Sequence, residues 1–581
     1  MMAKASPQVV STTATATAKS SPPPAQGPRP WRLAVGLIAA AAVLGGVGLD
    51  HTYLWDDESL VGIIASNLLK TGHLTGWDGR NLLAFRNGAL LDDNLRPINS
   101  PLDFYVAAGS MALLGKSTFA VRLPFLLAGL AALGVFWRLV RRELPTGPAG
   151  LYALALLALS PAYLLNIRQC RYYALAALLP VAMFWAYRRC LDRGRLRYFL
   201  LLGVLTALLF YANYLLAVFA VALAAYHLIF HRHSWPLRQL WKPAAAAALA
   251  AAGTAPYTLV YHAWRRPDVV PDQIPWLTHH GILLWRNLLG LNFQTYLPWM
   301  LALLGLVLIL ILRRRRPVGT AEGGPATLVR PAVQWATLGL LYVVLLSAAS
   351  YQPLVKGIDT ADVRYLIPAA PFFAGFCGAV LGMLHGLHRL WGRLAAGALL
   401  ALAVCTTALT AGLPSSKVAW LLPAYVKEIS HPYPTSYSKA CDFLELHAQR
   451  DDVVLAIPDF CNYPLMFYQG DRVRMGCLLN ENTHLPAQKI RQLHAPLQGG
   501  ENFPDWLIAF GAQPELKQYM DFFSRPHQGL NGPTRYQYRL VQRLDTVWLD
   551  QSRPELETHS FGPFKDYDPR TQAVYVYQKT P

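Results

Sequence analysis

The chain has 581 residues, of which 54% are hydrophobic and 15% charged, and its mean hydropathy is +0.27. This composition excludes an ordinary soluble enzyme and is typical of a polytopic α-helical membrane protein. The formal charge of +19 would suit nucleic-acid binding, but Lys and Arg gather in alternate short connections between apolar runs, as at 313–316. Because that pattern orients membrane proteins, we expect no nucleic-acid partner.

The sequence divides into three regions. Residues 1–30 are rich in Ser, Thr, Ala and Pro, which predicts a disordered tail. Residues 31–412 contain the apolar runs, and 413–581 alternate strand-like and helical stretches, which predicts a soluble α/β domain. We expect about eleven membrane spans. They are predicted near 33–49, 118–138, 148–166, 172–188, 198–212, 214–231, 243–262, 293–312, 331–350, 365–385 and 394–412.

Charge around the first span sets the expected topology. Lys19, Arg29 and Arg32 precede it, so we expect a cytoplasmic N-terminus. The run is long, and Asp50 follows it without a small-residue cleavage site, which disfavours a signal peptide. An odd number of spans places 413–581 on the outer face. The first outer loop, 50–117, contains two apolar stretches with helical spacing, 57–70 and 101–114, and we expect two helices on the outer membrane surface. A second outer loop is predicted over 261–292.

Three consecutive acids, Asp56, Asp57 and Glu58, follow the first span. Carboxylates near hydrocarbon are expensive and are usually retained for function. Helical spacing places Asp57 on the face of Val61 and Ile64, whereas Asp56 points elsewhere. An acid above an apolar face is suited to accept a proton in a site poor in water. The alternative is that these acids only cap the helix and favour its dipole.

Cations gather at the predicted outer ends of the spans. Arginine binds phosphate oxygens through a bidentate fork, so this set is a candidate phosphate site. Its members are Arg96, Arg122, Arg168, Arg171, Lys356 and Arg364. For each of them, snorkelling to the interface or pairing with a carboxylate is the alternative. Tyr105, Tyr172 and Tyr365 are candidates to contact a sugar or an acceptor, although an aromatic belt at the interface is the commoner use.

The sequence contains no motif for metal-dependent, nucleotide-dependent or nucleophilic catalysis. The seven cysteines lack metal-ligand spacing, and we see neither a glycine-rich phosphate loop nor a nucleophile elbow. No cofactor is therefore predicted, while the adjacent carboxylates Asp56 and Asp57 leave a divalent metal ion open. If 413–581 is outside the cytoplasm, one disulfide is expected among Cys441, Cys461 and Cys477, with Cys461 and Cys477 favoured.

Several short motifs occur in a fixed order between residues 33 and 385. They are Asp57-Glu58, Ser100-Pro101-Leu102-Asp103-Phe104-Tyr105, Phe119-Ala120-Val121-Arg122-Leu123-Pro124, Ser160-Pro161, Arg168, Arg171-Tyr172 and Arg364-Tyr365-Leu366-Ile367-Pro368-Ala369-Ala370-Pro371. This ordered set resembles the GT-C superfamily of polyprenyl-phosphate-sugar-dependent glycosyltransferases, which is related to the protein O-mannosyltransferases and the lipid A aminoarabinose transferase.

The resemblance implies inverting transfer of a sugar from a polyprenyl phosphate to an acceptor hydroxyl, on the outer face of a bacterial inner membrane. It implies that Asp57 is the general base, with Glu58 beside it and Asp56 as an extra acid, and that basic residues bind the lipid phosphate. The acceptor, whether lipid, glycan or protein, stays open. Where the family often has Lys or His before Pro-Pro-Leu, this chain has Asn99-Ser100-Pro101-Leu102, so Arg96 or Lys356 would replace that cation.

Two other functions remain open. A transporter or flippase for a lipid-linked saccharide would have several spans, but transporters place ionisable groups near the membrane midplane and often contain repeats. Here the charges gather at one face and we detect no repeat. A structural or assembly protein that binds partners through 413–581 is the other possibility.

Overall fold

The structure is a computed structural model. It describes residues 30–83, 91–145, 147–261, 275–315, 325–350, 363–388, 390–410, 418, 420–432 and 434–476, and, further on, 485, 488, 492–493, 503–511, 513, 515–523, 527–529, 532–534, 536–545 and 573–580. The predicted tail therefore lies, except for Pro30, outside the described residues, as do Lys356 and Cys477.

Helices make up most of the described chain. The α-helices are α1 (Pro30–Gly46), α2 (Asp56–Thr71), α3 (Leu102–Leu114), α4 (Thr118–Glu143), α5 (Ala149–Ala158), α6 (Pro161–Ile167), α7 (Tyr173–Arg193), α8 (Leu196–Ala212), α9 (Val218–Phe230), α10 (Trp241–Tyr261), α11 (Trp276–Phe293), α12 (Trp299–Arg315), α13 (Val329–Ala349), α14 (Ala370–Leu387), α15 (Trp391–Cys405), α16 (Leu421–Ser430), α17 (Ser436–His447), α18 (Asn462–Gln469) and α19 (Glu515–Phe523). Short 3-10 turns include Tyr214–Ala217, Val363–Tyr365 and Ile367–Ala369.

Several of these helices can cross a membrane. Among the described residues, four helices are long and apolar enough: α4, α7, α13 and the stretch Ile367–Leu387. The pair α5 and α6, bent by 58° at a short break, would make a fifth span. Shorter apolar helices include α1, α8, α12 and α15. The chain is thus a multi-pass membrane protein whose helices follow the predicted apolar runs, but the predicted number of about eleven spans is not confirmed.

Helix α11 lies within the predicted second outer loop. No helix was predicted in the stretch 261–292, but Trp276–Phe293 is helical. Its buried face is polar: His280 Nδ1 lies 2.8 Å from the Ser347 carbonyl oxygen, and Asn287 Nδ2 donates to Ser347 Oγ at 2.9 Å. Because these polar side chains bind α13, they break the apolar periodicity by which a helix is recognised in sequence.

A small mixed sheet forms in the C-terminal region. Its strands are β1 (Val453–Ile457), β2 (Arg474–Met475), β3 (Trp506–Phe510), β6 (Gln537–Leu544) and β7 (Val574–Thr580), in the order β2-β1-β3-β7-β6. Strand β1 pairs in parallel with β2 and β3, whereas β7 is antiparallel to β3 and β6. Two further strands, β4 (His527–Gly529) and β5 (Gly532–Thr534), form a separate pair. The strands predicted at 453–457 and 573–577 are confirmed, and the one predicted at 546–549 lies outside the described residues.

The first loop packs against this C-terminal region. A Cβ built on Gly62 of α2 would lie 2.7 Å from the Phe467 ring of α18, so only glycine allows this approach. Tyr468 Oη accepts the Leu54 N–H at 2.9 Å, and Asn81 Nδ2 donates to the Gly470 carbonyl at 2.8 Å. The first loop and the sheet therefore lie on the same side of the membrane helices.

This packing also encloses α2. The helix was expected on the outer membrane surface, and in the structure residues 58–67 are all buried, because α3 and α18 pack against them. Helices α2 and α3 are otherwise confirmed close to their predicted bounds, 57–70 and 101–114. The acids at the start of α2 are thus held by a helix enclosed in protein.

Candidate active site

A buried ion pair fixes the start of α2. Glu58 is fully buried, and its carboxylate accepts hydrogen bonds from Arg122 Nε at 2.9 Å and from Arg122 Nη2 at 2.5 Å. The Cys170 N–H donates to the same carboxylate at 2.8 Å. Arg122 also donates to the carbonyls of Leu49 and Thr52 at 2.9 and 3.0 Å. The side chains of Glu58 and Arg122 therefore satisfy each other and hold the connection between α1 and α2.

Arg168 holds the end of α1 in a similar way. Its guanidinium donates to the carbonyls of Val47 at 2.9 Å and Gly48 at 2.6 Å. A helix end leaves carbonyls without intrahelical partners, and a cation there also favours the helix dipole. Arg122 and Arg168 were predicted to bind a phosphate, but their donors are engaged by protein acceptors. These contacts suit a positioning role for both arginines and for Glu58, which was predicted to be catalytic.

Asp57 is the centre of the cluster that the sequence predicted. Its Oδ2 lies 3.0 Å from Arg171 Nη2 and 3.2 Å from Arg364 Nη1, and its side chain is 31% exposed. Arg171 Nη1 also donates to the Asp57 carbonyl at 3.2 Å. Asp57 is the second residue of α2, Arg171 precedes α7, and Arg364 lies in the 3-10 turn 363–365. Three segments far apart in the sequence thus bring one carboxylate and two guanidinium groups together.

Two further carboxyl groups stand beside this cluster. Burial is the main cause, and the charge of Asp57 the second, that raises the pKa of Asp56 to about 8. A hydrogen bond of 2.7 Å from the Asp57 N–H to the Asp56 carboxylate acts in the opposite direction. Burial also raises the pKa of Asp103 on α3 to about 7, against the opposing charge of Arg171. Near neutral pH Asp56 therefore favours the protonated form and Asp103 is about half protonated, beside an Asp57 that is paired with two cations.

Aromatic rings accompany both arginines. The guanidinium carbon of Arg171 lies 5.6 Å from the Tyr172 ring centroid and 6.0 Å from that of Tyr173. That of Arg364 lies 5.8 Å from the Tyr365 ring. Cation–π contact of this kind orients a guanidinium without neutralising it. Tyr172 and Tyr365, predicted to contact sugar or acceptor, are thus placed beside the cluster.

The remaining predicted residues lie elsewhere. Arg96 pairs with Asp92 at 3.1 Å within the first loop. Tyr105 is 53% exposed and lines a groove of about 440 Å³ between α3, α8 and α10, together with Tyr211 and Tyr257. Of the six predicted phosphate ligands, the structure brings Arg171 and Arg364 to Asp57, and Lys356 lies outside the described residues.

Asp103 was not among the predicted site residues. It follows the first residue of the apolar helix α3, and it is buried. The signal that singled out Asp57, an acid beside an apolar helix, was present there as well. Among the described residues, no group of three or more His, Cys, Asp or Glu side chains is arranged to hold a metal ion.

Comparison with known proteins assigns the fold. The family model of dolichyl-phosphate-mannose-protein mannosyltransferases matches residues 97–264. The structure of ArnT from Cupriavidus metallidurans in the apo state superposes with a TM-score of 0.54 at 16% identity, covering 93% of this chain and 97% of that one. The structure of ArnT bound to undecaprenyl phosphate gives 0.52 at 14% identity, with the same coverage.

A third similar structure is that of the arabinofuranosyltransferase AftD from Mycobacteria. It matches with a TM-score of 0.47 at 15% identity, and covers 94% of this chain and 40% of that one. No curated protein sequence matches the chain.

The fold and the charged cluster define a multi-pass membrane protein with a site at one end of its helices. The fold is similar to that of ArnT, and residues 97–264 match the mannosyltransferase family model, in agreement with the resemblance that the ordered motifs indicate.

Proposed function

We propose that the protein is an inverting glycosyltransferase that moves a sugar from a polyprenyl phosphate to an acceptor hydroxyl. The observation that carries this proposal is the convergence of Arg171 and Arg364 on the Asp57 carboxylate. Such a cluster combines a proton acceptor with two bidentate anion-binding groups, which are the parts that displacement of a sugar phosphate needs.

In the proposed reaction the acceptor hydroxyl gives its proton to the Asp57 carboxylate while its oxygen attacks the anomeric carbon. The bond between that carbon and the phosphate oxygen breaks, and its electron pair leaves with the polyprenyl phosphate. A single displacement inverts the configuration at the anomeric carbon. Arg171 and Arg364 stabilise the negative charge on the departing phosphate.

Arg171 is suited to this role because one of its donors is unused. Arg171 Nε is buried and has no hydrogen-bond acceptor among the described residues, although the rest of the guanidinium binds Asp57. A buried N–H without an acceptor is unfavourable. A phosphate oxygen bound beside Arg171 would supply the missing hydrogen-bond acceptor, and the two guanidinium groups would then bind both the phosphate and Asp57.

Asp56 and Asp103 would keep the cluster close to electrical balance. If all three acids were ionised, the negative charge would oppose an anionic donor. With Asp56 favouring the protonated form and Asp103 about half protonated at neutral pH, the two arginines match or exceed the negative charge that remains on the acids. The sequence is compatible with a divalent metal ion near Asp56 and Asp57, but the proposed reaction does not use one.

The surroundings suggest where the substrates approach. The open groove of about 440 Å³ that contains Tyr105 has mostly apolar and aromatic walls, which suits a lipid chain or an apolar acceptor. The C-terminal region packs against α2, whose first residues are the site, so we propose that it selects the acceptor. We propose that this end of the molecule lies on the outer face of a bacterial inner membrane, with the N-terminus in the cytoplasm.

The test incubates the purified protein with radiolabelled polyprenyl-phosphate sugar and cell-envelope lipids. The proposal predicts free polyprenyl phosphate together with a labelled acceptor. In proteoliposomes, movement of intact donor across the bilayer without cleavage would overturn the proposal in favour of a transporter. If neither cleavage nor movement occurs with any envelope fraction as acceptor, the proposal fails and a structural role is favoured.

A further inference from the structure

A cavity lined by arginine lies at the other end of the helices that carry the site. It measures about 290 Å³, and we refer to it as the arginine cavity. Its walls are formed by α4 and α7, which pack against each other. The residues that line it are Arg138, Leu139, Arg141, Arg142, Trp185, Arg188 and Arg189.

Helix geometry places the arginine cavity far from Asp57. Arg122 lies beside the site on α4, and the rise from there to Arg138 is about 24 Å. On α7 the rise from Tyr173 to Arg189 is also about 24 Å. These distances approach the thickness of a bilayer hydrocarbon core, about 30 Å. The arginine cavity is therefore at the membrane boundary opposite the candidate active site.

Two of the five arginines are engaged by carboxylates. Arg142 forms a two-pronged pair with Asp192, in which Nη2 lies 2.6 Å from Oδ1, and Arg188 Nε donates to Glu143 at 2.9 Å. Arg138, Arg141 and Arg189 have no carboxylate partner among the described residues. The guanidinium of Arg189 lies 5.4 Å from the Trp185 ring, which holds it beside the cavity. Three cationic groups thus remain available to an anion.

The need to orient the chain in the membrane does not explain this arrangement. Positive charge near the ends of spans is sufficient for orientation, and it need not converge. Arg195 and Arg238 lie at the same end, exposed and outside the arginine cavity. Lys242 of α10, close to Arg238, donates to the carbonyl of Gly194, which ties these segments together.

We propose that the arginine cavity binds the phosphate of an anionic phospholipid headgroup. Guanidinium groups match phosphate oxygens, and basic pockets between membrane helices are suited to anionic headgroups. Trp185 and Leu139 give the cavity an apolar wall of the kind found at the membrane boundary, which favours a lipid over a phosphate free in solution. The bound lipid would hold the far ends of α4 and α7 together.

The experiment measures the lipid retained by the full-length protein in detergent by native mass spectrometry. Phosphatidylglycerol and phosphatidylcholine with identical acyl chains are the probes. The test variant is Arg138→Gln/Arg189→Gln, which leaves both ion pairs of the cavity in place. The control is Arg195→Gln/Arg238→Gln, which removes equal charge from the same membrane face, so any change of orientation affects both variants.

We expect the wild type and the control to retain phosphatidylglycerol in preference to phosphatidylcholine, and the test variant to lose about tenfold or more of that retention. Equal loss in both variants would show diffuse surface attraction and overturn the proposal, as would wild-type protein without the preference. Displacement by soluble glycerol phosphate as readily as by the lipid would indicate a free phosphate and also overturn it. If the test variant is not monodisperse, Arg138→Lys/Arg189→Lys replaces it, with partial loss expected because the ammonium group lacks the fork.

Discussion

The ion pair between Glu58 and Arg122 gives the sharpest stability prediction. Replacing Glu58 with Gln keeps the shape of the side chain but leaves the Arg122 guanidinium charged, with only 7% of its side chain exposed. Two charge-assisted hydrogen bonds, at 2.9 and 2.5 Å, lose their ionic acceptor. Such bonds contribute about 1.5–3 kcal/mol each, and breaking one side of a buried pair typically costs about 3–5 kcal/mol. We therefore expect the free energy of unfolding to fall by about 3–5 kcal/mol.

The assay is denaturant unfolding of the detergent-purified protein, with Arg96→Gln as the control. Arg96 also pairs with an acid of the first loop, but its side chain is 34% exposed and that of Asp92 is 22% exposed. Partly exposed pairs are worth about 1 kcal/mol or less, so Arg96→Gln should change little. If Glu58→Gln were as stable as Arg96→Gln, the positioning role that we assign to the buried pair would be wrong.

Three more predictions distinguish the residues of the charged cluster from the residues that position it. Arg364→Ala should raise the donor KM about tenfold or more with little loss of stability, because Arg364 binds Asp57 at the edge of the cluster; an unchanged KM would remove it from the donor site. Arg168→Gln should instead lower the free energy of unfolding by about 1–3 kcal/mol and leave the donor KM unchanged. A raised donor KM would show that Arg168 binds the donor. The folded-state pKa of Asp103 is raised from 3.8 to about 7, so wild-type stability should fall as pH rises through this range, and Asp103→Asn should gain stability relative to wild type between pH 4 and 8. A stability difference that does not change with pH would contradict that assignment.

The sequence was sufficient to select the three charged residues that meet in the cluster. An acid beside an apolar helix is expensive, and arginines at the ends of spans are suited to phosphate, so Asp57, Arg171 and Arg364 could be selected together. Val61 and Ile64, predicted on the same face as Asp57, are fully buried. The helices and two strands were also recognisable, because apolar runs and alternation are local properties of the chain.

Other roles depended on contacts that no local pattern contains. Glu58 is one residue beyond Asp57, so it points about 100° around the helix and meets Arg122 instead of the cluster. A buried ion pair and a catalytic acid produce the same signal in sequence, an acid next to an apolar stretch. In the same way, the polar face of α11 is matched by Ser347 of α13, a pairing that only the folded chain reveals.

In the proposed reaction Asp57 accepts the proton of the acceptor hydroxyl. The most direct test of this role is the single-turnover rate of purified Asp57→Asn with a polyprenyl-phosphate sugar and a productive acceptor, beside Asp92→Asn as a control acid of the same loop. We expect the rate to fall by about 10²–10⁴-fold for Asp57→Asn, at wild-type expression and membrane insertion, and to change little for Asp92→Asn. A wild-type rate in the purified Asp57→Asn protein would contradict this role.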